Sequence, residues 1–219
     1  MTMSRRRFVA GATGTTALAA LAGCLGVITG SEALTFDARP ATLPESAREG
    51  TGYEEDDVSR MTVTREVSAA GQTREVEANN VLAQYDKGVD LPMIGRLRAA
   101  VFTVLSTPKV DVLGRTFNPV ADMSTDELVE MVQRRYENVQ NVERVDSRTV
   151  SLLGEETNAV RYRADATLAE ESATAEVHLT VTEAVGAGED FVLCFAGSPT
   201  FLDEQETVTT FIEATEHEP

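Results

Sequence analysis

Phe191-Val192-Leu193-Cys194-Phe195-Ala196 is apolar at every position, so neither side of a strand here can face water. A strand buried on both faces needs cover on both, and that cover must come from helices or a loop packed on each side of a sheet. Two helical stretches are at hand. Thr200 to Thr215 carries Phe201, Val208, Phe211 and Ile212 on an inward face, with Asp203, Glu204 and Glu206 favourably placed in its first turns. Ser124-Thr125-Asp126-Glu127 is a capping box, with the serine hydroxyl set for the amide three residues on and Glu127 reaching back. Leu128, Met131, Val132, Arg135 and Tyr136 follow at helical spacing, which predicts a helix of about three turns.

Working outward from the apolar strand, Val139 to Val145, Thr149 to Leu153, Ala159 to Leu168 and Thr174 to Glu183 alternate between apolar and polar residues. Turn signals at Gly154 and Glu170-Glu171-Ser172 separate them, so they read as an antiparallel meander. In the last of these, Val177, Leu179 and Val181 share one face, which puts His178 on the other beside Glu176 and Thr180. Gly186-Ala187-Gly188 supplies the turn into the apolar strand.

Further back, Ala99 to Leu105 is fit for a central strand, with a short strand at Val110 to Leu113 after Thr107-Pro108. Val58 to Val67 and Thr73 to Tyr85 alternate around Ala69-Ala70-Gly71-Gln72 and predict a β-hairpin, with a phase change at Asn79-Asn80 suggesting a bulge. Leu34-Thr35-Phe36 reads as a brief strand and Pro40 to Glu49 as a short helix or turn. The stretch Lys87 to Leu97 sets Val89, Leu91, Met93 and Ile94 among Gly88, Pro92 and Gly95, and so reads as an apolar loop. Leu91, Met93 and Ile94 are the candidate interaction loop, for a partner or a membrane. The expected fold class is α+β: a single mostly antiparallel sheet with helices packed on it, occupying residues 34–219 as one domain.

The first 23 residues read as a signal peptide. Arg5-Arg6-Arg7 is followed from Phe8 by a modestly apolar segment rich in Ala, Gly and Thr, and small residues precede Cys24. Ser4, Arg5, Arg6 and Phe8 match the twin-arginine export signal, with Val9 and Ala10 departing from it. The segment is too short and too weakly apolar to span a bilayer, which takes about 20 residues. Leu21-Ala22-Gly23-Cys24 is similar to the lipobox of membrane lipoproteins, which implies a lipid on Cys24 after cleavage. Residues 24–33 then form a lipidated tether of small residues, and the expected location is the cell membrane, lipid-anchored and facing outside.

The chain has 36 Asp+Glu against 19 Lys+Arg and a formal charge of −17. Loss of Arg5, Arg6 and Arg7 with the leader makes the remainder more acidic still. Lys87 and Lys109 are the only lysines. Acidity joined to lysine scarcity fits an extreme halophile, in which concentrated salt screens the self-repulsion of the surface. Nucleic acid is disfavoured as a partner, since there is no basic patch to neutralise phosphates. Glu54-Glu55-Asp56-Asp57, the one dense acidic run, lacks the alternating ligands and central glycine of a calcium loop. His178 and His217 have no Cys or His at ligand spacing, so no metal and no cofactor are expected.

Ser106-Thr107-Pro108-Lys109-Val110-Asp111-Val112-Leu113-Gly114-Arg115-Thr116-Phe117-Asn118-Pro119-Val120, leading into the capped helix, resembles, together with the lipobox, a family of uncharacterised haloarchaeal lipoproteins that carry a domain of unknown function. That resemblance implies a lineage and a location, with no activity and no site residues. The order of hairpin, strand and terminal helix is also faintly similar to the PsbP and Mog1-like group, which implies a non-catalytic binding or assembly role.

No catalytic residues are assigned. Cys194 lies between Leu193 and Phe195 and reads as core, His178 as a solvated strand residue, and Gly-x-Ser-x-Gly, Walker and His-Glu-x-x-His patterns are absent. The expected function is a membrane-tethered extracytoplasmic binding or assembly domain, with the membrane held through Cys24 and a protein partner at the cell surface. The alternatives are an extracytoplasmic hydrolase using carboxylates and a solute-receptor lipoprotein.

Overall fold

Two-sided burial of the 191–196 strand organises the whole sheet. The computed structural model describes residues 33–69, 72–91, 95–112, 115–116, 119–135, 139–167 and 174–218. The strands are β1 (Leu34–Asp37), β2 (Ala41–Thr42), β3 (Tyr53–Ala69), β4 (Gln72–Leu91), β5 (Gly95–Pro108), β6 (Asp111–Val112) and β7 (Arg115–Thr116). After them come β8 (Val139–Leu152), β9 (Glu155–Thr167), β10 (Thr174–Thr182), β11 (Val185–Ala187), β12 (Asp190–Pro199) and β13 (Glu216–His217). The helices are α1 (Glu45–Arg48), α2 (Thr125–Arg135) and α3 (Gln205–Ala214), with a 3-10 turn at Pro119–Ala121. One nine-stranded sheet runs β1-β4-β5-β12-β10-β9-β8, with β11 on β12 and β3 on β4. Contacts divide the described residues into a unit that includes 33–35, 64–69 and 72–77 and a unit formed by those of 36–63 and 78–218. In the first, the Ser68 and Thr73 hydroxyls hydrogen-bond at 2.8 Å across the end of the hairpin.

In the second unit β12 alternates as its sequence requires. Val192, Cys194 and Ala196 join a core with Tyr85, Phe102, Val104, Val208, Phe211 and Ile212, under α3. Leu193 joins Val160, Tyr162 and Val181 under Leu128 and Val129 of α2, with Phe195 packed against them. Each face of the sheet is thus covered by one helix. Phe211 is the hub of the α3 side, meeting Tyr53 edge-on at 5.0 Å and Phe102 at 5.3 Å between ring centres. Cys194 is buried, its amide donates to Thr182 Oγ1 at 2.9 Å, and burial pushes its thiol up to about 12.

The α+β class is overturned. Among the described residues the protein is mostly β, 66% strand and 16% helix, with one large mixed sheet and three short helices. The reason is that strands run on through residues with turn chemistry. Val139 to Val145 and Thr149 to Leu153 merge into β8, whose register shifts at Gln140/Glu143 and Arg144/Asp146 absorb the phase changes as bulges. The 87–97 loop is mostly strand too. Lys87 to Leu91 belong to β4 and Gly95 to Leu97 to β5, Leu91 pairs with Gly95, and a shift at Lys87/Gly88 takes up the glycine. Met93 and Ile94 lie outside the described residues. So do the leader and nearly all of the tether, including Arg5, Arg6, Phe8, Leu21, Ala22, Gly23 and Cys24.

Smaller corrections follow the same logic. The last helix starts at Gln205, because Pro199 to Glu204 turns back on itself through Leu202 N–H to Pro199 O and Glu204 N–H to Leu202 O. Phe201 is therefore 79% exposed instead of inward. Met131 of α2 faces outward at 37% exposure while Val129 is buried. Gly186 and Ala187 are strand, and Gly188 (φ 60°) with Glu189 makes the turn. The β8–β9 hairpin closes through Leu153 (φ 54°) and Gly154 (φ 82°), a two-residue loop with both residues left-handed, as the twist of the strands favours.

The capping box forms as predicted. Glu127 N–H donates to Ser124 Oγ at 3.3 Å, while the Ser124 amide and hydroxyl both donate to Glu127 Oε2 at 2.9 Å. Those bonds, the amide first, hold the Glu127 carboxyl below its usual value. A depressed folded value means a contribution present above the unfolded pKa and lost as pH falls through the folded one. Ser124→Ala is therefore expected to cost about 1 kcal/mol at neutral pH, with a smaller gap from wild type in acid. Urea unfolding at both pH values checks this, and equal gaps would count against the reciprocal bond.

Candidate functional site

Antiparallel register sets the floor of the best-built cavity. On the face toward α3, His178 of β10 lies directly opposite Ser198 of β12, and Thr180 lies opposite both Ala196 of β12 and Arg161 of β9. The turn after β12 contributes Thr200, Leu202 and Asp203, and the start of α3 contributes Glu204, Gln205 and Val208. Together they enclose about 260 Å³. That is below the roughly 300–1,000 Å³ of sites for drug-sized ligands, so the space suits one ring or a small polar molecule.

Two of the charges in the wall, Arg161 and Glu204, have countercharges, and Asp203 adds a carboxylate at the exposed turn. Arg161 donates through Nη1 to Gln205 Oε1 at 2.8 Å and through Nη2 to Asp146 Oδ2. Its Nε is buried and has no partner. Glu204 is 5% exposed and receives Lys87 Nζ on Oε1 at 2.7 Å, while its Oε2 is buried without a partner. Lys87 Nζ also stands 5.7 Å from the centre of the Tyr53 ring. Burial first, and the Glu204 charge second, push the Tyr53 hydroxyl well above its usual value, so Tyr53 stays protonated. Glu204 precedes the first helical residue of α3, yet its side chain caps no amide of the helix. The first-turn amides of α3 are therefore donors without a side-chain acceptor.

His178 lowers its pKa through burial and then through the Arg161 charge, so its ring is neutral at pH 7. It is half-buried in the cavity wall and not the solvated strand residue expected from alternation. Cross-strand opposition brings its Cβ to about 5 Å from that of Ser198, but among the described residues no hydrogen bond joins the two side chains and none orients the ring. An activated serine needs both.

A second cavity, of about 440 Å³, is lined by Arg39, Leu153, Asp190, His217 and the Gly186 to Glu189 turn, with Asp37. Here the buried Asp190 Oδ2 accepts from the Arg39 amide at 3.0 Å and meets His217 Nε2 at 2.9 Å. This ties β13 to the start of β12, and the polar groups are engaged with one another. Among the described residues no group of three or more His, Cys, Asp or Glu could hold a metal ion, and no helix is long and apolar enough to cross a membrane. The Glu54 to Asp57 run opens β3 with its side chains exposed, and Arg98 pairs with Asp56.

Sequence reasoning placed His178 and Thr180 on one face but missed Arg161, Ser198, Lys87 and Glu204 as their neighbours. Alternation shows which face a residue takes. It does not show which strand lies alongside. No curated protein sequence matches the chain. A family described only as a domain of unknown function, DUF6517, matches residues 40–216, from the residue before β2 to the first residue of β13, and the chain belongs to that family.

Proposed function

We propose that this protein is a membrane-tethered extracytoplasmic lipoprotein of a halophilic archaeon, whose β domain is a non-catalytic binding module. The observation that carries the reading is the succession of Arg5-Arg6, Phe8 and Leu21-Ala22-Gly23-Cys24, a twin-arginine signal ending on a lipobox at the expected distance. A formal charge of −17 with only two lysines supports the halophilic setting. For the binding role, the support is a cavity whose wall sets Arg161, His178 and Gln205 beside the Ser198 and Thr200 hydroxyls. A diacyl or dialkyl anchor would hold stably, since each buried methylene contributes about 0.8 kcal/mol and two chains suffice.

The test compares intact mass and membrane fractionation of wild type and Cys24→Ser in the native host. Wild type is expected to lack residues 1–23, to carry the added mass of a lipid and to sediment with membranes, whereas the variant is released or left unprocessed. An unmodified, soluble wild type would overturn the tether.

A further inference from the structure

We propose that the cavity beside β13 binds a free aliphatic α-amino acid as its zwitterion, with the carboxylate on Arg39 and the ammonium on Glu189. This site is separate from the cavity under α3 and does not depend on it.

Its frame is fixed. The buried Asp190 takes the Arg39 amide at 3.0 Å and His217 Nε2 at 2.9 Å, which roots the backbone of Arg39 at the start of β12. The Gly188–Glu189 turn is held by both ends of Lys109, whose amide donates to Glu189 O and whose Nζ donates to Gly188 O, each at 2.7 Å. The volume of about 440 Å³ falls within the roughly 300–1,000 Å³ of small-molecule sites.

The charges left over are one of each sign. Asp37 accepts from Asn79 Nδ2 at 2.9 Å and faces Arg60 at 3.8 Å, Asp190 is met by His217, and Lys109 is spent on the turn. The Arg39 guanidinium and the Glu189 carboxylate both line the cavity, are exposed, and have no partner among the described residues. They do not meet each other within 4.0 Å either. The gap between them suits a ligand that carries both charges. A lone anion satisfies Arg39 but faces Glu189, and a lone cation does the reverse. A zwitterion satisfies both, and with no net charge it is neither drawn nor repelled by the −17 of the chain. At 1 M salt the Debye length is about 3 Å, so recognition in concentrated salt rests on groups that touch the ligand.

The remaining lining fits the same molecule. A planar guanidinium holds a carboxylate through two parallel hydrogen bonds. His217 has Nε2 engaged by Asp190, while Nδ1 has no partner among the described residues. That nitrogen accepts in the neutral ring and donates in the charged one, so it can serve either end of the ligand. Leu153 and Ala187 are the apolar side chains of the lining and offer contact to an aliphatic group.

The test is saturation-transfer NMR on the purified full-length protein in multimolar KCl, with L-alanine, L-valine and L-leucine as probes. Each is paired with the amine that lacks its carboxylate and with the carboxylate that lacks its ammonium. At least one amino acid is expected to bind saturably, and its two single-charge analogues about three- to tenfold more weakly. Arg39→Gln should weaken the amino acid by a similar factor and leave the amine unaffected, and Glu189→Gln should weaken the amino acid and leave the carboxylate unaffected. Both variants should keep the wild-type unfolding midpoint, since neither side chain has a partner to lose. Absence of saturable binding by all three amino acids, or a single-charge analogue that binds as tightly as its parent, would overturn the proposal. Amino-acid affinity unchanged in either variant would overturn it too, while leaving a binding role for the α3 cavity. The readout does not depend on lipidation, so a failed tether and a failed amino-acid site give separate results.

Discussion

Phe211→Ala is expected to cost about 3–5 kcal/mol of folding stability, the range for emptying a buried aromatic site. Phe211 is 0% exposed and joins three elements, since α3 carries it against Tyr53 of β3 and Phe102 of β5. Its two edge-on ring contacts are each worth about 0.5–1.5 kcal/mol beyond area burial. The loss falls on the attachment of α3, and with it on the cover of Val104, Cys194 and Ala196. Against a typical total of 5–15 kcal/mol the variant is marginal, and its thermal midpoint should drop by about 10 °C or more. Phe211→Leu, which leaves less of a void, should lose about 1–1.5 kcal/mol and keeps the comparison measurable. Phe201→Ala removes the same ring ten residues earlier from a position 79% exposed, and should change stability by no more than about 0.5 kcal/mol. Equal losses at 201 and 211 would contradict the placement of α3.

That contrast marks how far the sequence could be read. The unbroken apolar run from Phe191 to Ala196 is a local property of the chain, and it delivered the central fact of the fold: a strand with a different core on each side and one helix over each. The capping box was equally local. Phe201 was not, because helical spacing carried the pattern back past Pro199, where the chain in fact turns before entering α3. The class was misjudged for a related reason. Gly88 and the 146–148 segment carry turn chemistry, yet a long strand with a neighbour can absorb such residues as bulges, and whether a neighbour exists is decided by residues far away. The candidate site is non-local throughout. Arg161, His178 and Ser198 come from three strands whose pairing order no periodicity encodes, and Lys87 meets Glu204 across 117 residues.

The Lys87–Glu204 pair provides the sharper test of how that site is held. Lys87 is one of only two lysines in a chain that otherwise uses arginine, and its side chain is 27% exposed against 5% for Glu204. Removing the ammonium leaves a carboxylate shut away from water, beside a Tyr53 hydroxyl that has no partner of its own. Breaking a buried pair by deleting one partner costs about 3–5 kcal/mol. Partial exposure of Lys87 lets water reach its end of the pair, so Lys87→Met belongs near the lower limit, about 3 kcal/mol at pH 7. A further variant separates electrostatics from lost packing. The double variant Lys87→Met with Glu204→Gln should be more stable than Lys87→Met alone, since the amide removes the stranded charge while keeping the shape. If urea unfolding finds the single and double variants equally destabilised, then Lys87 serves as apolar packing along its stem. The N-terminus of α3, and the cavity beside it, would then be positioned by the Phe211 cluster alone.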